Sequence, residues 1–158
     1  MEKIITADQL IIGSEQGPHV TIYPDGMNFA YGTGARFRAR LGWFGGGPML
    51  TFFDLQHQDR LSLGVGRDGT PFLHLNDGNG TTRLRGYVDM CGKAFFTFAN
   101  GASADRLELT VDPDCDEPSV IFSDQTGQRR VALRLTEDNE LILETYRADG
   151  SRTERTLT

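Results

Sequence analysis

Cysteine is scarce, with two in 158 residues, too few to staple a small secreted fold. No stretch approaches the run of about 18 apolar residues that a helix needs to cross a bilayer. The opening Met1-Glu2-Lys3-Ile4-Ile5-Thr6-Ala7-Asp8 lacks the apolar core of a signal peptide. That points to the cytoplasm, or to a virion or secreted assembly reached by another route. Positive charge is short as well: 16 Lys and Arg against 22 Asp and Glu leave a formal net charge of -6. Non-specific nucleic-acid binding needs a basic surface, so neither nucleic acid nor membrane is an expected partner. No segment carries an apolar stripe of helical period with caps, which leaves helix incidental.

Glycine, by contrast, is abundant: 19 residues, or 12% of the chain, against about 7% in average usage. Together with ten Phe, it suggests short strands joined by tight turns. An internal repeat makes this specific. Arg60, Arg83, Arg106, Arg129 and Arg152 each fall 23 residues after the last. Pro48-Met49-Leu50-Thr51-Phe52-Phe53-Asp54 aligns with Pro71-Phe72-Leu73-His74-Leu75-Asn76-Asp77, with Ala94-Phe95-Phe96-Thr97-Phe98-Ala99-Asn100, and with Pro118-Ser119-Val120-Ile121-Phe122-Ser123-Asp124. Clear copies span 48–139, and degenerate ones occupy 18–46 and 141–158, so the chain 1–158 reads as a single β-hairpin-repeat domain.

Each unit holds two runs of alternating apolar and polar residues, the period of a half-buried strand, separated by turns such as Asp77-Gly78-Asn79-Gly80. One repeat is therefore one hairpin, and about six of them make an all-β antiparallel meander. A solenoid is the rival, but it would stack like-charged arginines about 4.8 Å apart, whereas the meander separates them by about 9.6 Å. The meander also explains the offset of six from Asp54 to Arg60, Asp77 to Arg83, Asn100 to Arg106 and Asp124 to Arg130. In it the two residues meet across a short turn and clamp the hairpin.

The register puts Leu50, Phe52, Leu61, Leu63, Leu73, Phe96, Phe98, Leu109, Val120, Phe122 and Leu133 on one face. Arg60, Ser62, His74, Arg85, Thr97, Glu108 and Arg134 lie on the other. Leaving a large apolar side chain in water forgoes about 1.5–3 kcal/mol, so something must cover the first face. Either the meander closes as an up-and-down barrel or flattened sandwich, or several chains pack as a symmetric oligomer.

Chemistry-bearing constellations are sparse. Asp112-Pro113-Asp114-Cys115-Asp116-Glu117 starts like a calcium loop, but Glu117 stands where an EF-hand needs Gly, so it reads as a solvated acidic turn. His19, His57 and His74 are scattered without metal-ligand spacing, and no metal or other cofactor is expected. Cys91 and Cys115 occupy equivalent loops too far apart for a disulfide and read as two free thiols. Gly45-Gly46-Gly47 lacks the lysine and hydroxyl of a phosphate loop and reads as a flexible junction. Arg36, Arg38 and Arg40 alternate with Phe37, Ala39 and Leu41 and share one face. With Trp43, the only tryptophan, they form the candidate ligand-binding set, suited to an anionic ligand. Phe53, Phe72 and Tyr87 are candidate exposed aromatics beside it. The apolar face offers no converging acid, base or nucleophile, so no catalytic residue is assigned and the chain is not expected to be an enzyme.

Ile5-Thr6-Ala7-Asp8-Gln9-Leu10-Ile11-Ile12-Gly13, leading into Gly17-Pro18-His19-Val20-Thr21-Ile22-Tyr23-Pro24-Asp25-Gly26, resembles segments of phage tail-tip and tail-fibre proteins that precede short β-repeats. That resemblance implies a structural protein, often trimeric, with self-association or a protein partner. A structural or assembly module is thus the first expectation. The alternative is a binding module that holds an anionic or hydrophobic ligand on a sheet surface or in a barrel.

Overall fold

In the computed structural model, residues 8–14, 16–31, 37–112, 114 and 116–157 are described. They contain β1 (Leu10–Gly13), β2 (Pro18–Tyr23), β3 (Gly26–Tyr31), β4 (Phe37–Phe44) and β5 (Gly47–Phe53). Next come β6 (Asp59–Val65), β7 (Pro71–Asn76), β8 (Thr82–Val88), β9 (Ala94–Ala99) and β10 (Asp105–Asp112). The last four are β11 (Glu117–Ser123), β12 (Arg129–Leu135), β13 (Leu141–Tyr146) and β14 (Arg152–Leu157). All fourteen join one antiparallel sheet in chain order, a continuous meander.

One turn design recurs along it. At Asp54 the backbone N–H donates to Gln58 O at 3.0 Å, and the N–H of His57 returns to Asp54 O at 3.1 Å. The same pair of bonds forms at Asp77, Asp89, Asn100, Asp124 and Thr136. This is a three-residue loop whose third residue is left-handed, the bulged hairpin that matches strand twist. Glycine fills that position at Gly80 (φ 79°) and Gly127 (φ 84°), while His57 (φ 69°) and Ser103 (φ 62°) accept it at a steric cost. The leading Asp has a second task. Asp54 Oδ1 accepts the N–H groups of Gln56 and Gln58 at 2.9 and 3.0 Å, pinning the loop from inside.

The six-residue offset between acid and arginine is a hairpin clamp. Arg60 meets Asp54 at 3.1 Å, Arg83 meets Asp77 at 3.4 Å and Arg130 meets Asp124 at 2.5 Å. The arginines also tie neighbouring strands: Nε of Arg60, Arg83 and Arg106 donates to the last carbonyl of the next strand, at Asn76, Ala99 and Ser123. The N–H of Gln58 chiefly holds the Asp54 carboxyl below its usual range, against a desolvation that pushes it up, with Arg60 and Gln56 adding to the fall.

Gly45-Gly46 is not a flexible junction. Phe44 pairs with Gly47 across it, and both central residues have positive φ (61° and 96°), making a two-residue primed turn between β4 and β5. The arrangement requires that both positions tolerate the left-handed region, which explains the consecutive glycines.

Faces follow the alternation. One ladder runs Val20, Phe29, Ala39, Phe52, Leu61, Leu75, Leu84, Phe98, Leu107, Phe122 and Val131 in direct register. A parallel one runs Leu41, Leu50, Leu63, Leu73, Gly86, Phe96, Leu109, Val120, Leu133 and Leu143. The reverse face carries Asn28, Arg40, Thr51, Ser62, His74, Arg85, Thr97, Glu108, Ile121, Ala132 and Glu144.

The sheet is open. Among the described residues only consecutive strands touch, and β1 and β14 stand at opposite edges. Neither barrel nor sandwich closure occurs within it. In this single layer the reverse face is the more buried one: Thr51 and Thr97 are each 2% exposed, whereas Phe52 on the apolar face is 43% exposed.

Candidate interaction surface

Large apolar side chains stand exposed along nearly the whole sheet: Phe29, Leu41, Phe52, Leu63, Phe98, Leu109, Val111 and Phe122 each expose more than a third of their surface. From β2 to β13 the ladders of this face contain no charged residue. Over β7–β13 the face sinks into a trough of about 810 Å³, lined by Leu73, Phe96, Leu109, Val111, Val120 and Leu133 among others. Gly86 forms part of its lining: the Phe96 ring lies so close over it that a Cβ there would sit 3.1 Å from the nearest ring carbon. The glycine thus gives the Phe96 ring its place within the ladder.

The reverse face holds the charge, and its cations are paired. Arg134 bonds both Glu117 (3.1 Å) and Glu144 (3.1 Å), and Arg152 reaches Glu144 at 3.2 Å. Glu144 is only 3% exposed. Burial pushes its carboxyl up, but hydrogen bonds from Tyr146 and Arg134 and the charges of Arg152 and Arg134 prevail and hold it below the usual range. Arg85 pairs with Asp105. His74, beside Arg85, is lowered by burial and then by that guanidinium. Tyr87 stacks on Phe95 with centroids 4.7 Å apart, and Phe72 lies 4.9 Å from His74. Lys93 and Arg134 engage Asp112 and Glu117 at the ends of the acidic turn, where Pro113 and Cys115 lie outside the described residues. Cys91 is a free, exposed thiol in the turn after β8.

Glu108 is the exception to this pairing. Burial raises its carboxyl above the usual range, only partly offset by Arg129 and Lys93. A carboxyl raised on folding binds more protons in the native state, so between the unfolded value and the raised one stability falls as pH rises. Glu108→Gln is expected to raise the urea midpoint at pH 7, and the gain is expected to vanish towards pH 3, where the carboxyl is protonated in both states. Paired urea titrations at the two pH values check this.

The candidate ligand set is not brought together. Arg36 lies outside the described residues. Arg38 donates to Asp54 O at 2.7 Å, and the Arg40 guanidinium lies 3.3 Å from the centre of the Phe44 ring. Trp43, an odd number of residues from Arg40, projects from the opposite, apolar face beside Pro48 and is 63% exposed. The arginine stripe and the tryptophan therefore belong to different surfaces. Both basic side chains already have partners within the chain, which weakens their claim to an external anion.

Alternation in the sequence places the apolar face but does not disclose the trough. No protein-family model matches the chain, and no curated protein matches it.

Proposed function

We propose that this chain is a non-enzymatic structural module that assembles with copies of itself through its apolar face, as an appendage or tail component would. The observation that carries this reading is an uncharged apolar sheet face left bare by the chain's own fold. The surface area supports it. A compact chain of 17.5 kDa should expose about 7,900 Å², and this one exposes 10657 Å². The excess is about 2,800 Å². The uncharged part of the face, twelve strands wide from β2 to β13 and six to seven residues deep, covers about 1,100 Å², above the ~800 Å² per partner of a stable interface.

A second copy fits better than a different partner because from β2 to β13 this face has no charge pattern to complement and nothing to repel its own kind. The edges favour stacking of faces over growth of the sheet. β14 exposes Arg152, Glu154 and Arg155, a charged strand that resists pairing with another chain.

Light scattering on a size-exclusion column over a wide concentration range tests the proposal. The expected result is a discrete oligomer that persists on dilution to low micromolar. A stable 17.5 kDa species at every concentration overturns it and leaves the apolar face to a hydrophobic ligand or a different protein.

A further inference from the structure

Resting on the assembly reading above, we infer that the occupant of the trough is Trp43 of a second copy, in a two-fold, face-to-face pair. Three observations lead there. Trp43 is the only tryptophan, and it stands 63% exposed on the same face as the trough, but six strands from its middle. The trough, at about 810 Å³, is far larger than one side chain and is apolar at nearly every lining position. Exposed tryptophan and empty apolar hollow are complementary in chemistry, and they lie too far apart within one chain to meet.

Symmetry brings them together. Two identical sheets overlap most when the two-fold axis lies between them, parallel to the strands and under the middle of the meander, between β7 and β8. Such an axis keeps strand directions aligned, as in the common class of sheet packing. It sets β1 over β14 and β4 over β11. It also preserves position along the strand. Trp43 pairs with Pro48, and the register, carried one residue past Met49–Gly64 and Phe72–Tyr87, continues that row through Val65, Pro71, Val88, Ala94, Val111 and Pro118. Rotated onto the partner, Trp43 therefore descends at Pro118 on β11, with Val111 beside it, both in the trough lining. The contact is made twice, each copy giving its tryptophan and receiving the other's. An aromatic anchor seated in a desolvated pocket is the usual form of an interface hot spot.

The lone tryptophan is its own reporter. In the assembled wild-type protein, Trp43 emission is expected to be blue-shifted and shielded from acrylamide. The charged trough variant Val111→Asp, exposed in the free chain and so compatible with folding, is expected to raise acrylamide quenching several-fold. The variant Leu63→Asp, two strands and one same-face residue from Trp43, is expected to be monomeric and to supply the exposed baseline, with a wild-type-like far-UV spectrum showing an intact sheet. An oligomer in which Trp43 is quenched as readily as in that baseline overturns the tryptophan seat while leaving the assembly reading standing. A chain that is monomeric at all concentrations overturns both.

Discussion

Leu63→Asp is expected to convert the assembled protein to a folded 17.5 kDa monomer, with association weakened at least about 100-fold. Leu63 sits near the middle of the meander on the uncharged face, where the register surrounds it with Leu50 and Leu73, and it is 42% exposed in the single chain. Because water already reaches the position, a carboxylate there should cost the isolated sheet little. Covered by a second apolar face, the same carboxylate finds no partner, and removing an unpaired charge from water costs roughly 3–5 kcal/mol. A two-fold interface repeats that cost in both copies. The effect thus falls on association and spares folding, a separation that scattering and circular dichroism read independently. Wild-type-like mass in the variant overturns the assignment of this face as the interface.

The strands, their order and the two faces are legible in the sequence because three signals agree: alternation of period two, turns marked by Asp and Gly, and the fixed offset from Asp54 to Arg60 and its equivalents. Each is local, spanning fewer residues than one hairpin. What local signals do not encode is how many layers the sheet will form: alternation leaves both closure within one chain and packing of several chains open, and the observed sheet is open. Closure into a barrel depends on whether the two ends of the meander meet, and the charged β14 has no counterpart in the short apolar β1. The contrast in burial, with Thr97 hidden and Phe52 bare, belongs to the same single layer. Trp43 is a different kind of miss. Its odd separation from Arg40 already places it on the other face, but proximity in sequence groups it with the arginines. Gly45-Gly46 reads as flexible on composition alone, whereas two successive left-handed residues are what a primed turn demands.

Gly47→Ala is expected to be the most damaging added methyl group among the described glycines, costing more than about 4 kcal/mol and disrupting the β5–β6 pairing. Gly47 opens β5 opposite Phe44, and a Cβ built there would lie 1.8 Å from the carbonyl oxygen of Val65 and 3.0 Å from its carbonyl carbon. Both atoms are backbone at the end of β6, so no side-chain rotation can make room. The strands must part, and the loss spreads to the neighbouring pairs Met49–Gly64 and Leu50–Leu63 in the centre of the sheet. A loop glycine separates this steric effect from the general influence of alanine on the unfolded chain. A Cβ at Gly101 would meet nothing within 4 Å, and φ there is not positive, so Gly101→Ala should be neutral or stabilising by up to about 1 kcal/mol. Urea midpoints of the two variants at one protein concentration decide the matter, since assembly makes apparent stability concentration-dependent. Equal midpoints would mean that β5 and β6 do not approach as closely at Gly47 as their register requires, and the packing of the central strands would have to be redrawn.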